Sequence, residues 1–108
     1  MAQAKIVVGG GVKRRYPFIE EIDGRVYVDT AGSARDAALL ILWHIYPKRM
    51  DEESLRNQLV RHLYSKANAN MAIVRIQGAV DNDHGFLKLS AVGIREAEDL
   101  IGKAEKEH

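Results

Sequence analysis

The sequence has 108 residues, the usual size of one folded domain, which leaves little room for a second hydrophobic core. Hydrophobic residues make up 46% and charged residues 29%, a balance typical of globular proteins and unlike that of disordered chains. Cysteine is absent, which excludes disulfides, thiolate metal sites and cysteine nucleophiles. The longest apolar run, residues 37–43, is far shorter than the roughly 20 residues of a membrane-spanning helix. We therefore expect one cytoplasmic domain over residues 1–108, without a membrane segment.

The charge of the chain is unevenly distributed. The formal net charge is only +1, so the total does not indicate a polyanionic partner. Between Ser54 and Ser90, however, five basic residues are opposed only by Asp81 and Asp83. The middle of the chain is therefore locally basic, as a phosphate-binding face would be.

The N-terminal part of the chain predicts β structure. Residues 4–8 are predicted to form a short strand, which the glycines at 9–11 should end because glycine carries a high entropic cost inside a strand. Asp23 and Gly24 lie at the centre of a longer β-rich stretch, residues 16–30. A type I′ turn needs positive φ at both central positions, and Asp-Gly adopts this conformation readily. The sequence therefore predicts a strand followed by a β-hairpin.

Three helices have recognisable starts. Ser33 is expected to cap a first helix, with Asp36 at the capping-box position, and this helix should end before Pro47. A second helix is predicted to start near Met50, with acidic residues in its first turn. Ser90 is expected to cap a last helix, whose charged tail from residue 103 should fray.

The spacing of apolar residues predicts the faces of the second helix but leaves the next segment ambiguous. The apolar, inward-facing positions of the second helix are expected to be Leu55, Leu59, Val60 and Leu63. Its outward-facing positions are expected to be Arg56, Asn57, Gln58 and Arg61. Residues 67–80 fit either a helix capped by Asn68 or a strand, because periodicity does not separate the two over so short a run. Residues 81–85 are predicted to be a turn, and residues 86–89 a strand.

The order of these elements resembles that of the winged helix-turn-helix family. Residues 85–97, Gly-Phe-Leu-Lys-Leu-Ser-Ala-Val-Gly-Ile-Arg-Glu-Ala, are similar to the segment that closes the wing in many small prokaryotic regulators. There a glycine precedes a short apolar strand, and Leu-Ser/Thr-x-x-Gly opens the next helix. The resemblance implies an α+β fold in which a β-rich extension, residues 1–32, precedes a winged-helix-like core of three to four helices with a C-terminal wing, residues 33–101. Residues 102–108 would be a frayed tail.

The resemblance also implies which residues contact double-stranded DNA. Residues 67–78 would be the recognition helix in the major groove, with Arg75 on guanine or phosphate and His84 on the wing against the DNA backbone. The apolar residues of this helix would leave little polar surface for contact with bases. The full expected site comprises Arg56 and Arg61 (DNA backbone), Lys66 (phosphate), Asn68, Asn70 and Gln77 (base edges), Arg75, and Lys88 (wing).

We therefore expect a DNA-binding transcriptional regulator that acts as a homodimer, because one module contacts too few base pairs for useful affinity. The alternative is a protein-interaction or assembly module that uses the same helices, through Ile73 and Ile76, and the edge of the hairpin. An enzyme is not expected, because no catalytic set assembles from the serines, histidines and carboxylates. No cofactor or metal is expected either, since the histidines lack metal-ligand spacing and the glycine run lacks the Gly-Lys-Ser/Thr element of a phosphate loop.

Overall fold

The structure is a computed structural model that describes residues 19–23, 25–28, 32–62 and 64–107. The strand and glycine run predicted over residues 4–11 lie outside this part of the chain. The fold is α+β, as the sequence predicts. The described residues form an antiparallel hairpin, four α-helices and, toward the C-terminus, a three-stranded sheet.

The first two strands form the hairpin that Asp-Gly predicts. Strands β1 (Ile19–Ile22) and β2 (Arg25–Val28) are antiparallel, and Ile22 pairs with Arg25 across the turn. Asp23 has a φ of 52°, the left-handed conformation that a type I′ turn requires. Val26 and Val28 are buried, and because they alternate along β2 they turn one face of the hairpin to the core.

The first helix, α1 (Ala34–Ile45), lies at the centre of the molecule. Ser33 caps it as predicted, since its Oγ accepts a hydrogen bond from the Asp36 N–H at 3.1 Å. Residues 37–42 are all buried, and α1 contacts β2 and each of the other helices. A helix that is buried on every side forms the core around which the other elements pack.

A two-residue strand precedes the second helix. Strand β3 (Met50–Asp51) is followed directly by helix α2 (Glu52–Arg61). The prediction that the helix starts near Met50 is therefore wrong by two residues, because Met50 pairs with Leu87 in a sheet. Asp51 is the N-cap of α2, and its Oδ2 accepts the Ser54 N–H at 3.0 Å. The acidic first turn of α2 was predicted correctly.

Residues 67–80 are mostly helical. Helix α3 (Lys66–Arg75) is followed by a short 3-10 turn, Gln77–Ala79. The cap is Ser65 and not Asn68, because the Ser65 Oγ accepts the Asn68 N–H at 3.0 Å. The buried side chains fall at helical spacing and comprise Ala69, Ala72, Ile73 and Ile76. Tertiary packing of this face outweighs the β-branched content that made a strand conceivable.

The last two strands form a second hairpin within a three-stranded sheet. Strands β4 (Val80–Asp83) and β5 (Phe86–Leu89) are antiparallel, and the strand order is β3-β5-β4. The turn predicted over residues 81–85 is wrong, because residues 81–83 are strand and only His84 and Gly85 form the turn. Three of the four residues of β4 are exposed, so its sequence lacks the alternation of apolar and polar residues that indicates a strand.

Helix α4 (Ala91–Glu107) closes the fold. It continues well beyond Lys103, where fraying was expected, because Ala104 is still buried against the core. Gly93 packs so closely on the Ala79 carbonyl oxygen that a side chain there would collide with it. The same carbonyl oxygen accepts the Ser90 N–H at 3.0 Å. Within the described ranges, no helix combines the length and apolar character that crossing a membrane requires.

Candidate nucleic-acid interface

Helices α2 and α3 are consecutive and pack against each other. Beyond the two glutamates in the first turn of α2, their charged side chains are all basic. The sequence between Ser54 and Val80 contains no acidic residue. Its basic side chains are exposed or half-buried, and they are Arg56, Arg61, Lys66 and Arg75. Among the residues that the structure describes, none of the four forms an ion pair. The solvent-facing side of α2 and α3, called here the α2–α3 surface, therefore keeps its positive charge.

One hydrogen bond joins the two helices on this surface. The Arg56 Nε donates to the Asn70 Oδ1 at 2.6 Å. Because Nε is a donor, the bond fixes the orientation of the Asn70 amide, with its oxygen toward Arg56. The oxygen keeps a second lone pair, and the amide nitrogen keeps both of its hydrogens for another partner. The sequence predicted both residues as site residues but gave no sign that they touch.

The exposed face of α3 is polar at both ends and apolar in the middle. Its apolar members include Met71, which is 45% exposed, and Val74, which is 63% exposed. Its polar members are Lys66, Asn68, Asn70 and Arg75. The apolar residues that were expected to limit the polar surface face the core instead, and they are Ala69, Ala72, Ile73 and Ile76.

The alternative interface proposed through Ile73 and Ile76 is not available. Ile73 is 5% exposed and Ile76 is completely buried, so neither side chain reaches a partner molecule. A protein contact on α3 would have to use the exposed residues instead.

Gln77 lies at the end of α3, but its side chain is already engaged within the protein. Its Nε2 donates to the Ile73 carbonyl oxygen at 2.8 Å, and its Oε1 accepts from the Asn82 Nδ2 at 3.0 Å. The same Asn82 nitrogen donates to the Glu52 Oε2 at 3.2 Å. Gln77 therefore ties the end of α3 to β4, and a contact with a base edge would require breaking these bonds.

The β4–β5 hairpin, which the resemblance predicts to be the wing, carries charges that offset one another. Lys88 lies opposite Asp81 in the register of the two strands. The Arg49 guanidinium contacts the Asp81 carboxylate at 2.5 Å and donates to the carbonyl oxygens of Asp81 and Phe86 at 3.0 Å. The Arg49 hydrogen bond and charge, with a smaller contribution from Lys88, hold the pKa of Asp81 below its ordinary value. Nothing in the sequence pattern marked Arg49 as part of this group.

The tip of the wing does not present a simple positive charge either. His84 is 95% exposed at the side chain, and its Nδ1 lies 2.7 Å from the Asp83 carboxylate. A carboxylate at this position repels phosphate, so the predicted contact of His84 with a DNA backbone is less favourable than the sequence suggested.

The outer edge of β2 is covered by the side chains of Gln58, on α2, and His62, the C-cap of α2. The Val26 N–H donates to the Gln58 Oε1 at 3.1 Å, and the Val28 N–H donates to the His62 Nε2 at 2.9 Å. The His62 Nδ1 lies 2.7 Å from the Gln58 carbonyl oxygen and donates to it in the neutral tautomer that leaves Nε2 as an acceptor. These donors are unavailable to a second chain, so the part of the alternative hypothesis that invoked pairing at the hairpin edge does not apply to β2.

The burial of Gln58 also corrects the predicted faces of α2. Gln58 was expected to point outward but is only 8% exposed, while Val60 was expected to point inward and is 37% exposed. The core-facing positions are Leu55, Gln58 and Leu59, at spacing i, i+3 and i+4. The helical phase alone would have placed Gln58 inward, and its polar side chain obscured that signal.

No family model matches this sequence, and neither the curated proteins nor the solved structures include a significant match to it. The function therefore has to be argued from the residues of the α2–α3 surface.

Proposed function

We propose that residues 33–107 form a winged helix-turn-helix domain that binds double-stranded DNA, with α3 in the major groove. The order of elements supports this, because two consecutive packed helices are followed by a β-hairpin and a closing helix. The Leu-Ser-x-x-Gly motif also fits, since Ser90 and Gly93 both contact the Ala79 carbonyl group.

The observation that carries the proposal is the charge of the α2–α3 surface. Its four cations lack acidic neighbours in the sequence from Ser54 to Val80, and the described residues form no ion pair with them. A surface of this kind lowers the free energy of binding to phosphates and releases their condensed counterions. Helix α3 has ten residues and is about 15 Å long, and the diameter of a helix with its side chains, about 10–12 Å, fits a major groove about 12 Å wide.

The proposed roles follow from position on this surface. Lys66 and Arg75 lie at the two ends of α3 and contact phosphates, or guanine in the case of Arg75. Asn68 and Asn70 contact base edges. The backbone contacts from α2 are Arg56 and Arg61. Lys88 plays a smaller part, because Asp81 faces it across the wing.

A regulator built on this domain would act as a homodimer in the cytoplasm. One α3 covers only a few base pairs, and two copies on a two-fold DNA site supply the remaining affinity and selectivity. The β2 edge does not provide the dimer contact, because Gln58 and His62 already accept its outward N–H groups.

The test is fluorescence anisotropy of a labelled random-sequence duplex titrated with the protein at about 50 and 200 mM salt. We expect micromolar binding that weakens steeply with salt, each neutralised phosphate contributing about 0.9 to the slope of log affinity against log salt. The double variant Lys66→Ala/Arg75→Ala should lower that slope by about 2. The matched control Arg95→Ala/Lys103→Ala removes two exposed cations from α4 and should leave the slope unchanged.

Absence of binding at both salt concentrations would refute the proposal, and equal slopes in the two double variants would refute the site. A second candidate function, a protein-interaction module, is favoured by the exposure of Met71 and Val74. A complex formed through these two side chains would be nearly indifferent to salt and to the loss of Lys66 and Arg75.

A further inference from the structure

We propose that α3 recognises A·T base pairs, with Met71 and Val74 contacting thymine methyl groups and Asn70 contacting adenine. This inference rests on the proposed function and specifies the DNA that the same surface prefers. It gives a role to the apolar side chains at the centre of an otherwise polar face.

The apolar side chains form a stripe along the exposed side of α3. Ala67, Met71 and Val74 lie at positions i, i+4 and i+7, which share one face of a helix, and all three are exposed. The stripe rises by about 10 Å from Ala67 to Val74, which corresponds to about three base-pair steps of 3.4 Å. Lys66 and Arg75, the two charged residues of α3, lie at its ends and not within the stripe.

The chemistry of the major groove decides what such a stripe prefers. The only methyl group on the base edges there is the C5 methyl group of thymine, whereas a G·C pair presents hydrogen-bonding atoms and no methyl group. Pressing Met71 and Val74 against a G·C pair would remove water from polar atoms and give them no partner. Helix α3 also has no carboxylate to accept from the cytosine amino group. The stripe therefore favours thymine.

Asn70 supplies the matching contact with adenine. An asparagine amide binds adenine through two hydrogen bonds, accepting from N6 and donating to N7. The hydrogen bond from Arg56 holds the amide oxygen in place at 2.6 Å and leaves it one lone pair for N6. Asn70 lies one helical turn before Val74, so the amide and the apolar stripe act on neighbouring positions of the DNA. Because the amide is oriented before DNA arrives, less side-chain entropy is lost on binding.

The experiment measures binding of the full chain to three DNA duplexes of equal length: alternating A·T, the same duplex with deoxyuridine in place of every thymidine (A·U), and alternating G·C. The A·U duplex keeps every hydrogen-bonding group of A·T and lacks only the methyl group. We expect binding to A·T to be about tenfold tighter than to A·U, from the burial of two methyl groups. Binding to G·C should be weaker than to either.

Variants assign the preference to individual side chains. Met71→Ala and Val74→Ala should weaken binding to A·T but not to A·U, so the ratio of the two affinities falls toward one. Asn70→Ala should weaken binding to A·T and A·U equally, because both duplexes contain adenine. Val92→Ala is the matched control, since Val92 is 48% exposed on α4 and should leave every ratio unchanged.

The outcomes separate this inference from the proposed function. Equal affinity for A·T and A·U, or a preference for G·C, overturns the thymine contact while DNA binding stands. A lower A·T affinity in Val92→Ala equal to that in Val74→Ala overturns the assignment to α3. No binding to any of the three duplexes overturns the proposed function and this inference together.

Discussion

The two β-hairpins of this protein are alike in themselves and differ in how they join the core. Each has strands of four residues and a turn that begins with a left-handed residue, Asp23 at φ 52° and His84 at φ 54°. The N-terminal hairpin packs on α1, and side chains of α2 accept hydrogen bonds from its edge. The C-terminal hairpin gains a third strand, and its neighbour Gly93 sits directly on the Ala79 backbone.

The difference indicates that one hairpin is an added layer and the other is part of the core structure. Loss of the two side chains that accept hydrogen bonds from the β2 edge should loosen the N-terminal hairpin, while the helices keep their own packing. A contact between a helix and a backbone carbonyl group has no side chain that can move aside. Substitutions near the C-terminal hairpin should therefore cost more, and should affect the whole domain.

The largest effect is expected for Gly93→Ala. The new methyl group would collide with the Ala79 carbonyl oxygen and the Leu89 side chain, and moving a backbone group in a packed core costs about 3 kcal/mol. Such a loss lowers the melting temperature of a domain of this size by about 10 °C or more. Thermal unfolding followed by circular dichroism measures it.

Gly102→Ala is the matched control for this prediction. Gly102 lies on the same helix, and nothing lies within 4 Å of the position of its added methyl group. Alanine there should stabilise the protein by about 0.5–1 kcal/mol, because alanine favours the helix. Similar melting temperatures for the two variants would show that the contact at Gly93 is not rigid.

A smaller and more local effect is expected for Gln58→Ala. The buried Val26 N–H would lose its acceptor, which costs about 1–3 kcal/mol. Amide hydrogen exchange should then accelerate in β2 while α1 keeps its protection, because the hairpin can open by itself. Asn57→Ala, an exposed neighbour on α2, should change stability by less than about 0.5 kcal/mol. Equal acceleration in β2 and α1 would contradict the view of the hairpin as an added layer.

The two hairpins also differ in how well the sequence predicts them. The N-terminal hairpin was predicted because Asp23 and Gly24 lie between strands with apolar alternation. The C-terminal hairpin was predicted only in β5, because β4 exposes Asp81, Asn82 and Asp83 and therefore resembles a turn. Strand β3 has two residues, which is too short for any periodic signal.

The candidate site likewise has features that the sequence predicts and features that it does not. The cations of the α2–α3 surface were found from their positions in the sequence, since charge clusters do not depend on long-range contacts. The bonds that occupy Gln77 and orient Asn70 join residues of different elements, so no local pattern could predict them. The sequence did not predict the exposure of Met71 and Val74, because it left open whether this segment is a helix with one buried face.

The smallest expected effect concerns the charged contact that only the C-terminal hairpin has. The hydrogen bond and charge of Arg49 hold the pKa of Asp81 below its ordinary value of 3.8. A lowered pKa means that the folded state favours the ionised carboxylate. Its contribution to the free energy of unfolding is therefore complete well above pH 3.8 and disappears as the pH falls through the lowered pKa. Asp81→Asn should therefore lower the urea midpoint slightly at pH 6, and this deficit should shrink as the pH falls below 3.8. Asp99→Asn, on an exposed carboxylate of α4, should show no such convergence. If the deficit of Asp81→Asn persists in acid, the charge of Asp81 does not cause it. The proposed charge-dependent stabilisation of the C-terminal hairpin would then be refuted.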